Sequence, residues 1–402
     1  MSGSLLRLVC TAAVAATTVL APARATAAPG PEPGLGKDPT SVAALLTDLQ
    51  QLYRKAEQAT EAYNATEEKL KKQRAETDRL DRALARTRLS LHDSRGAAGR
   101  LARQQYQSST DISPYVRLLL ARDPQHAIDQ GHVIGRLARE RADTVGRLTG
   151  NEHKARDLAR KARKALDDQL ALTERRKKER DEVRKRLHDV EELLASLSRD
   201  QLTALAEFEK KGITEAQRKF MASGALSSVR TPSAEGDRAV SHAVRQLGKP
   251  YAWGAEGPKS YDCSGLTSQA WAAAGTSIPR TSQEQWKRLK RIPLAELRPG
   301  DLVVYFPEAT HVALYLGDGM VVQAPRPGAK VKVSPIAANP VLGAVRPDPD
   351  GKPLRRYEPP QLPEGATDGS DEGYEGYADN ANTDETTDDT DYAAPAPDTS
   401  TR

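Results

Sequence analysis

Positions 45, 49, 52, 56, 59, 63, 66, 70, 73, 77, 80, 84, 87 and 91 step by four and three, mostly Leu and Ala, with charges between them. That is a heptad seam, and it predicts a coiled-coil helix. A second seam runs through Val183, Leu187, Val190, Leu194, Leu197, Gln201, Ala204 and Phe208. Between the two, residues 134–172 are helical in composition but weaker in register. Pro114, Pro124 and Gly131 interrupt regular helix, while Val116, Leu118, Leu119, Leu120 and Ile128 form a short apolar patch. The pattern predicts an antiparallel coiled-coil hairpin over residues 38–222 with a compact tip. Two parallel helices in a homodimer are the alternative. Each arm reaches about 100 Å at roughly 1.5 Å per residue. Thr66, Gln73, Thr77, Thr87 and Gln201 occupy seam positions where a tight coil prefers Leu or Ile, so the hairpin is expected to be marginal.

The period changes after a Ser-, Gly- and Pro-containing linker at 223–236. Within residues 237–350, Ala239, Val240, Ala243, Val244 and Leu247 line one helical face. The segment KPYAWGAEGPKSYDCSGLTSQAWAAAG predicts a second helix that starts at Cys263 and ends near Ala274, with Gly275 stopping it. Residues 302–306, 311–316, 320–324 and 330–333 read as strands of an antiparallel meander. Residues 351–402 are Pro-rich and acidic and are expected to be disordered.

The chain ends change the picture. Arg7, an apolar run from Leu8 to Leu20 and the small residues around Ala25 and Ala27 read as a secretory signal over residues 1–27. The protein is therefore expected to be secreted and wall-associated. Aromatic residues are only 4% of the 402 residues and charged residues 29%, which leaves little for packed core. The net charge of +5 conceals an asymmetry: from Glu364 onward twelve acids face one base, a net of −11, leaving about +16 on the remainder. A basic body suits an anionic wall or envelope surface. Nucleic acid is excluded as a partner, since no basic patch is interleaved with aromatics for base stacking.

Of the two cysteines, Cys10 falls in the signal segment, so Cys263 has no intramolecular partner to oxidise with. At a helix start, unpaired N–H groups and the positive end of the dipole favour thiolate. The same N–H groups can bind an oxyanion. His311 is the one histidine downstream and opens a strand; it shares a face with Ala313 and Tyr315. If Gly317-Asp318-Gly319 forms a three-residue loop, Ala313 pairs with Gln323, which then lies diagonal to His311 and within side-chain reach. A two-residue loop would turn Gln323 to the other face. Cys263, His311 and Gln323 can thus serve as nucleophile, base and orienter. The bland alternative is a small core cysteine beside an incidental histidine. The remaining histidines are scattered, with no metal-ligand spacing, and no phosphate loop or cofactor signature is present; no metal and no cofactor are expected.

Five stretches carry a resemblance: Tyr251-Ala252-Trp253-Gly254, Asp262-Cys263-Ser264-Gly265-Leu266, Pro279-Arg280-Thr281-Ser282, Leu297-Arg298-Pro299-Gly300-Asp301-Leu302 and His311-Val312-Ala313-Leu314-Tyr315. In order and spacing they resemble the NlpC/P60 family of cell-wall cysteine peptidases, over about 110 residues. The resemblance implies an α+β papain-like catalytic domain and hydrolysis of peptidoglycan stem peptides, usually between γ-D-glutamate and the diamino acid in actinobacterial members. It makes Cys263 the nucleophile, His311 the base and Gln323 the third polar residue. Tyr251 would contact substrate or the oxyanion, with Asp262 and Ser264 shaping the pocket. Ala255 stands where a second glycine is usual, and Gln323 where histidine is commoner. The coiled coil would localise or restrain the enzyme, and a membrane or divisome regulator could bind it. The rival readings are a catalytically silent wall or divisome scaffold and a papain-like acyltransferase or amidase acting on lipid.

Overall fold

A computed structural model describes residues 39–108, 116, 124–226 and 230–366. The expected signal segment, most of the hairpin tip, part of the linker and the acidic tail beyond residue 366 lie outside the described residues. Helices α1 (Pro39–Ser108) and α2 (Pro124–Ala195) have 70 and 72 residues, hence about 105 Å each at roughly 1.5 Å per residue. They run antiparallel. Glu67 pairs with Arg176, Gln73 with Ala165 and Ser94 with Asn151, so the partner's number falls as the position rises. Leu49, Leu70, Leu80, Leu84 and Leu91 of the first seam are buried, Leu49 packing with Val190 and Leu194 and Leu80 and Leu84 with Ala162 and Ala165 of α2. Two polar seam positions are satisfied, Gln73 donating to the Ala165 carbonyl at 2.9 Å and Thr77 to the Gln73 carbonyl at 2.9 Å, whereas the buried Thr66 hydroxyl has no partner.

The second seam departs from its expected course. The chain leaves the hairpin at residues 196–198, and a new helix α3 (Arg199–Ala222) begins at Ser198. The Ser198 side chain accepts from the Gln201 N–H while Gln201 accepts from the Ser198 N–H, a reciprocal capping box. That box is legible as Ser-x-x-Gln, and it overrides the heptad. Leu202 and Leu205 take the buried places on the hairpin base, beside Leu49 and Tyr53, and Phe208 is 38% exposed. The far half of α3 belongs to the next domain, where Gln217 donates to the Gly319 carbonyl and accepts from the Ala337 N–H.

The C-terminal domain sets α4 (Ala234–Val244), α5 (Cys263–Ala273) and α6 (Ser282–Arg288) against a six-stranded antiparallel sheet. The strands are β1 (Lys290–Ile292), β2 (Leu302–Tyr305), β3 (His311–Gly317), β4 (Met320–Gln323), β5 (Lys332–Pro335) and β6 (Val341–Arg346), in the spatial order β1-β6-β2-β3-β4-β5. Period-two alternation splits the core. Leu302, Val304, Val312, Leu314 and Val322 meet Val240, Ala243, Leu266 and Trp271 of the helices. On the other face Val303, Tyr305, Ala313, Tyr315 and Val321 meet Phe220 and Leu226. The helix that the sequence begins at Cys263 begins there, with Asp262 as its cap and Ala274 closing it.

The domain boundary at 350 moves outward. Leu354 donates its N–H to the Pro232 carbonyl, Thr231 donates to the Leu354 carbonyl, and Val333 on the edge strand donates to the Ala366 carbonyl. Residues 351–366 therefore pack along the domain and cover part of β5, contrary to the expectation that disorder begins at 351, because an uncovered edge strand leaves backbone groups unpaired.

Two glycines separate tight from open packing. A Cβ on Gly265 would meet the Ala255 carbonyl oxygen at 2.2 Å, whereas one on Gly212, inside α3, meets nothing within 4 Å. Gly265→Ala should therefore destabilise the domain by about 2 kcal/mol or more, and Gly212→Ala should be neutral or stabilise by about 0.5–1 kcal/mol. Thermal unfolding of the two variants checks this, and equal melting shifts would contradict it.

Candidate active site

Cys263 stands at the first turn of α5, whose cap Asp262 accepts the Gly265 N–H at 2.6 Å. His311 opens β3 and is 1% exposed. Gln323 ends β4, and its Oε1 lies 2.7 Å from His311 Nε2. Neither simple loop produces this pairing. The turn is the two-residue Asp318-Gly319, with Gly317 opposite Met320, which alone would face Gln323 away. An irregularity between Tyr315 and Gly317 leaves Leu316 unpaired, so Tyr315 meets Val321 and Leu314 meets Val322. Continued one step, Ala313 faces Gln323. The bulge restores the parity that a three-residue loop would have supplied.

With Gln323 Oε1 accepting, Nε2 carries a proton, which leaves Nδ1 as the ring nitrogen that gains and loses the second one. The ring is braced by Tyr305, whose centroid is 5.6 Å away. Nδ1, however, faces a group from the hairpin: Glu57 Oε1 of α1 lies 3.3 Å from it. This is an ion-pair distance without hydrogen-bond alignment, for Nδ1 has no aligned partner.

One turn further along α1, Glu61 enters the same cleft. Its Oε1 accepts from the Ser264 hydroxyl at 2.8 Å, and its Oε2 accepts from the Ser282 N–H at 2.7 Å and contacts the Ser282 hydroxyl at 2.9 Å. Asn64 donates to Asp262 Oδ2 at 3.1 Å. Tyr63 packs edge-on against Trp253 with centroids 5.0 Å apart, and Lys71 reaches Glu256 at 3.3 Å. Glu57, Glu61, Asn64 and Lys71 follow steps of four, three and seven, one stripe of a helix. Glu57, Glu61 and Asn64 are all buried.

The charges respond to that burial. Burial raises the Cys263 thiol well above its ordinary range, with Glu61, Asp262 and Glu57 pushing the same way against a smaller opposing contribution from the Val312 backbone. The helix-start argument for a thiolate is thus reversed while α1 occupies the cleft. Burial also raises Glu61, to about 7, with Asp262 adding to it and Arg280 opposing. Burial alone would lower His311, but Glu57 and Gln323 outweigh it and the net shift is upward. Tyr251 is raised by burial and by Cys263, Asp262, Glu57 and Glu61 around its phenol. Arg280 is 7% exposed and bridges Asp262 and Glu256; desolvation is overcome and its pKa rises.

All six residues singled out from the sequence, Tyr251, Asp262, Cys263, Ser264, His311 and Gln323, meet in this cleft. Five others were not assigned from the sequence: Glu57, Glu61, Asn64, Arg280 and Ser282. Arg280 and Ser282 sit in a motif quoted above without a role. The three hairpin residues carried no signal, because buried acids on a charged helix look like any solvated face.

The NlpC/P60 family profile matches residues 248–343. Residues 248–343 form an NlpC/P60 domain. The chain is similar to a probable endopeptidase of Corynebacterium glutamicum, 46% identical over 94 residues that cover 23% of this chain and 45% of that protein. A probable endopeptidase of Mycobacterium tuberculosis is 37% identical over 124 residues, 30% of this chain and 32% of that one. The match thus spans less than half the length of these curated relatives. Among solved structures, the NlpC/P60 domain of the peptidoglycan hydrolase SagA is 32% identical with a TM-score of 0.26, covering 28% of this chain and 97% of that one. RipD of Mycobacterium tuberculosis, described as a non-catalytic NlpC/P60 protein adapted to peptidoglycan binding, is 33% identical with a TM-score of 0.26, covering 28% and 96%. Among the described residues, no group of three or more His, Cys, Asp or Glu could hold a metal, and no helix is long and apolar enough to cross a membrane.

Alkylation of Cys263 by a small neutral thiol reagent should be slow in the chain from residue 39. Combining Glu57→Ala with Glu61→Arg, which sets a cation against Arg280, should raise the rate at least about tenfold by restoring access and lowering the thiol pKa. An unchanged rate would mean that α1 does not close the cleft in solution.

Proposed function

We propose that this protein is a peptidoglycan endopeptidase that uses Cys263, His311 and Gln323, and that its hairpin holds it inactive by filling the catalytic cleft. The observation that carries the reading is the pairing of His311 Nε2 with Gln323 at 2.7 Å, which leaves Nδ1 as the base, while the Cys263 thiol meets the backbone of Val312, the next residue along β3. That arrangement favours activity over a silent scaffold, since a binding-only domain has no use for an oriented imidazole.

With α1 withdrawn, His311 Nδ1 takes the Cys263 proton and the thiolate attacks the peptide carbonyl carbon. Backbone N–H groups at the α5 N-terminus, with Tyr251 as a further donor, stabilise the oxyanion. Collapse breaks the C–N bond, and the imidazolium gives its proton to the leaving amine. Water, deprotonated by the same imidazole, then hydrolyses the thioester. Gln323 holds the ring without placing a charge beside it. The bond cut would be that between γ-D-glutamate and the diamino acid of a stem peptide, as the resemblance implies. The basic hairpin suits retention at an anionic wall, with a membrane or divisome regulator able to draw α1 out.

The variants divide the claim. Cys263→Ala and His311→Ala should each abolish hydrolysis of soluble muropeptides with little change in melting temperature, because members of one catalytic unit fail together. Gln323→His should keep much of the activity and Gln323→Leu lose most of it. Retained turnover in Cys263→Ala would overturn the mechanism.

Restraint by the hairpin carries a pH dependence. Glu61 is raised to about 7 in the filled cleft from an ordinary 4.5, so the neutral acid favours closure. Closure is then fully supported below about pH 4.5 and loses on the order of 3 kcal/mol as pH rises through about 7. His311, raised beside Glu57, shifts the balance the same way. The first core cluster is closed within residues 239–366 and the second draws on Phe220 and Leu226 of the preceding segment, so residues 213–366 provide an unrestrained comparison. The ratio of their turnover to that of the chain from residue 39 should exceed one and fall as pH rises from about 5 to 8. A ratio of one throughout would leave the hairpin a localising role only.

A further inference from the structure

We infer that the joint on which the hairpin leaves the catalytic cleft is at residues 196–198, between α2 and α3. Helix α3 then stays on the catalytic domain while α1 and α2 swing away as one unit. The inference rests on the restraint proposed above and adds where the chain divides into moving parts. Composition alone points instead to the Ser-, Gly- and Pro-containing stretch at 223–236.

The far end of that stretch is fixed to the domain. Thr231 donates to the Leu354 carbonyl at 2.7 Å, the Leu354 N–H donates to the Pro232 carbonyl at 2.8 Å, and Ser233 pairs with Pro353. Pro232 and Ser233 are buried, and the Ser233 hydroxyl caps α4. Its near end is held too, since Leu226 packs with Phe220 of α3 on the sheet face that carries Tyr305, Ala313 and Val321.

Helix α3 belongs to the same body. Gln217 donates to the Gly319 carbonyl at 3.0 Å and accepts from the Ala337 N–H at 3.1 Å. The fit is close: a Cβ on Gly319 would meet Gln217 Nε2 and Met221 Sδ at 2.8 Å. Two turns nearer the joint, Glu209 clamps Arg326 through both carboxylate oxygens, at 3.0 and 3.1 Å, with both side chains nearly buried. Arg326 stands between Pro325 and Pro327, whose rings fix φ and stiffen the loop that presents it.

The hairpin holds α3 differently. Leu202 and Leu205 meet Leu49, Tyr53, Val190 and Leu194 through apolar contact. The Arg326 guanidinium lies over the Tyr53 ring, 4.9 Å from its centre. Parting two apolar surfaces leaves no donor or acceptor unpaired, whereas lifting α3 off the sheet would strand Glu209, Arg326 and Gln217 and bare an apolar face. The hairpin side is the seam that opens.

The joint is built from two helices that each close their own end. The Ser196 N–H donates to the Glu192 carbonyl at 3.1 Å and the Leu197 N–H to the Leu194 carbonyl at 3.1 Å, both behind them in α2. The Ser198 N–H donates to the Gln201 side chain at 2.9 Å, ahead of it in α3, and the Ser198 hydroxyl accepts from the Gln201 N–H. Rotation about the Leu197 Cα–C bond changes the angle between the helices and breaks none of these bonds. Ser196 and Ser198 are exposed, so nothing packed around them resists the turn.

The test is pulsed electron spin resonance between spin labels on introduced cysteines, in the chain from residue 39 carrying Cys263→Ala. Three pairs of exposed positions are used: 86 with 163 across the hairpin, 177 with 211 across the joint, and 211 with 287 between α3 and the catalytic domain. Each pair is measured with the cleft closed and with Glu57→Ala plus Glu61→Arg, which open it. Position 177 lies about 30 Å from the joint at roughly 1.5 Å per residue, so a rotation of about 20° displaces it by about 10 Å. The 177–211 distances should shift or broaden on that order, while the other two pairs stay within about 3 Å. A shift in 211–287 with 177–211 unchanged would put the joint in the 223–236 stretch and overturn the inference. A shift in 86–163 would show α1 peeling from α2 and overturn it as well. Three unchanged pairs also overturn it, and the alkylation rate of Cys263 in the same opening variant then decides whether the restraint falls with it.

Discussion

Two carboxylates one helical turn apart, Glu57 and Glu61, enter a cleft that already holds Asp262 and a thiol, and the rest of the structure accommodates them. Burying an acid among acids is costly unless it is neutral or hydrogen-bonded. Here Glu61 has hydrogen bonds from Ser264 and Ser282, Arg280 stands behind Asp262, and Glu57 lies against an imidazole. On the proposed mechanism the same contacts block the machinery, since Glu57 occupies the approach to Nδ1, and burial, with the three acids adding to it, keeps the thiol protonated.

Such an insertion needs a rigid handle and a tether, and the helices supply both. The seam of α1 faces α2 while an adjacent stripe faces the catalytic cleft, so around residues 56–66 the helix is buried on two sides at once. Helix α3 links the parts. Leu202 and Leu205 pack on the hairpin base, and Glu209 pairs with Arg326, whose guanidinium also lies 4.9 Å from the Tyr53 ring centre. Tyr53 is one turn before Glu57. The base of the hairpin and the filled cleft are thus braced together.

Much of this was legible in the residues. The heptads placed the two long helices, the Asp-Cys-Ser-Gly stretch placed the start of α5, and the polar Gln323 in an apolar strand pointed to its pairing with His311. What escaped was what depends on tertiary detail. A bulge at Leu316 cannot be told from a three-residue loop by periodicity, although both deliver Gln323 to the same face. The reversal of the thiol's acidity follows from burial by a segment about 200 residues distant, which no local pattern records. The order of residues 351–366 comes from pairing with 231–233 and β5, not from their own composition.

The central claim is that α1 lies in the catalytic cleft of the resting chain, and intrachain photo-cross-linking tests it most directly. A photoreactive side chain at position 64, in place of an asparagine that touches Asp262, reports its neighbours after irradiation and peptide mapping. The account predicts a dominant cross-link within one chain to the segment around residues 253–265, lost when Glu61→Arg is added. Cross-links confined to α2, or formed only between separate chains, would contradict it.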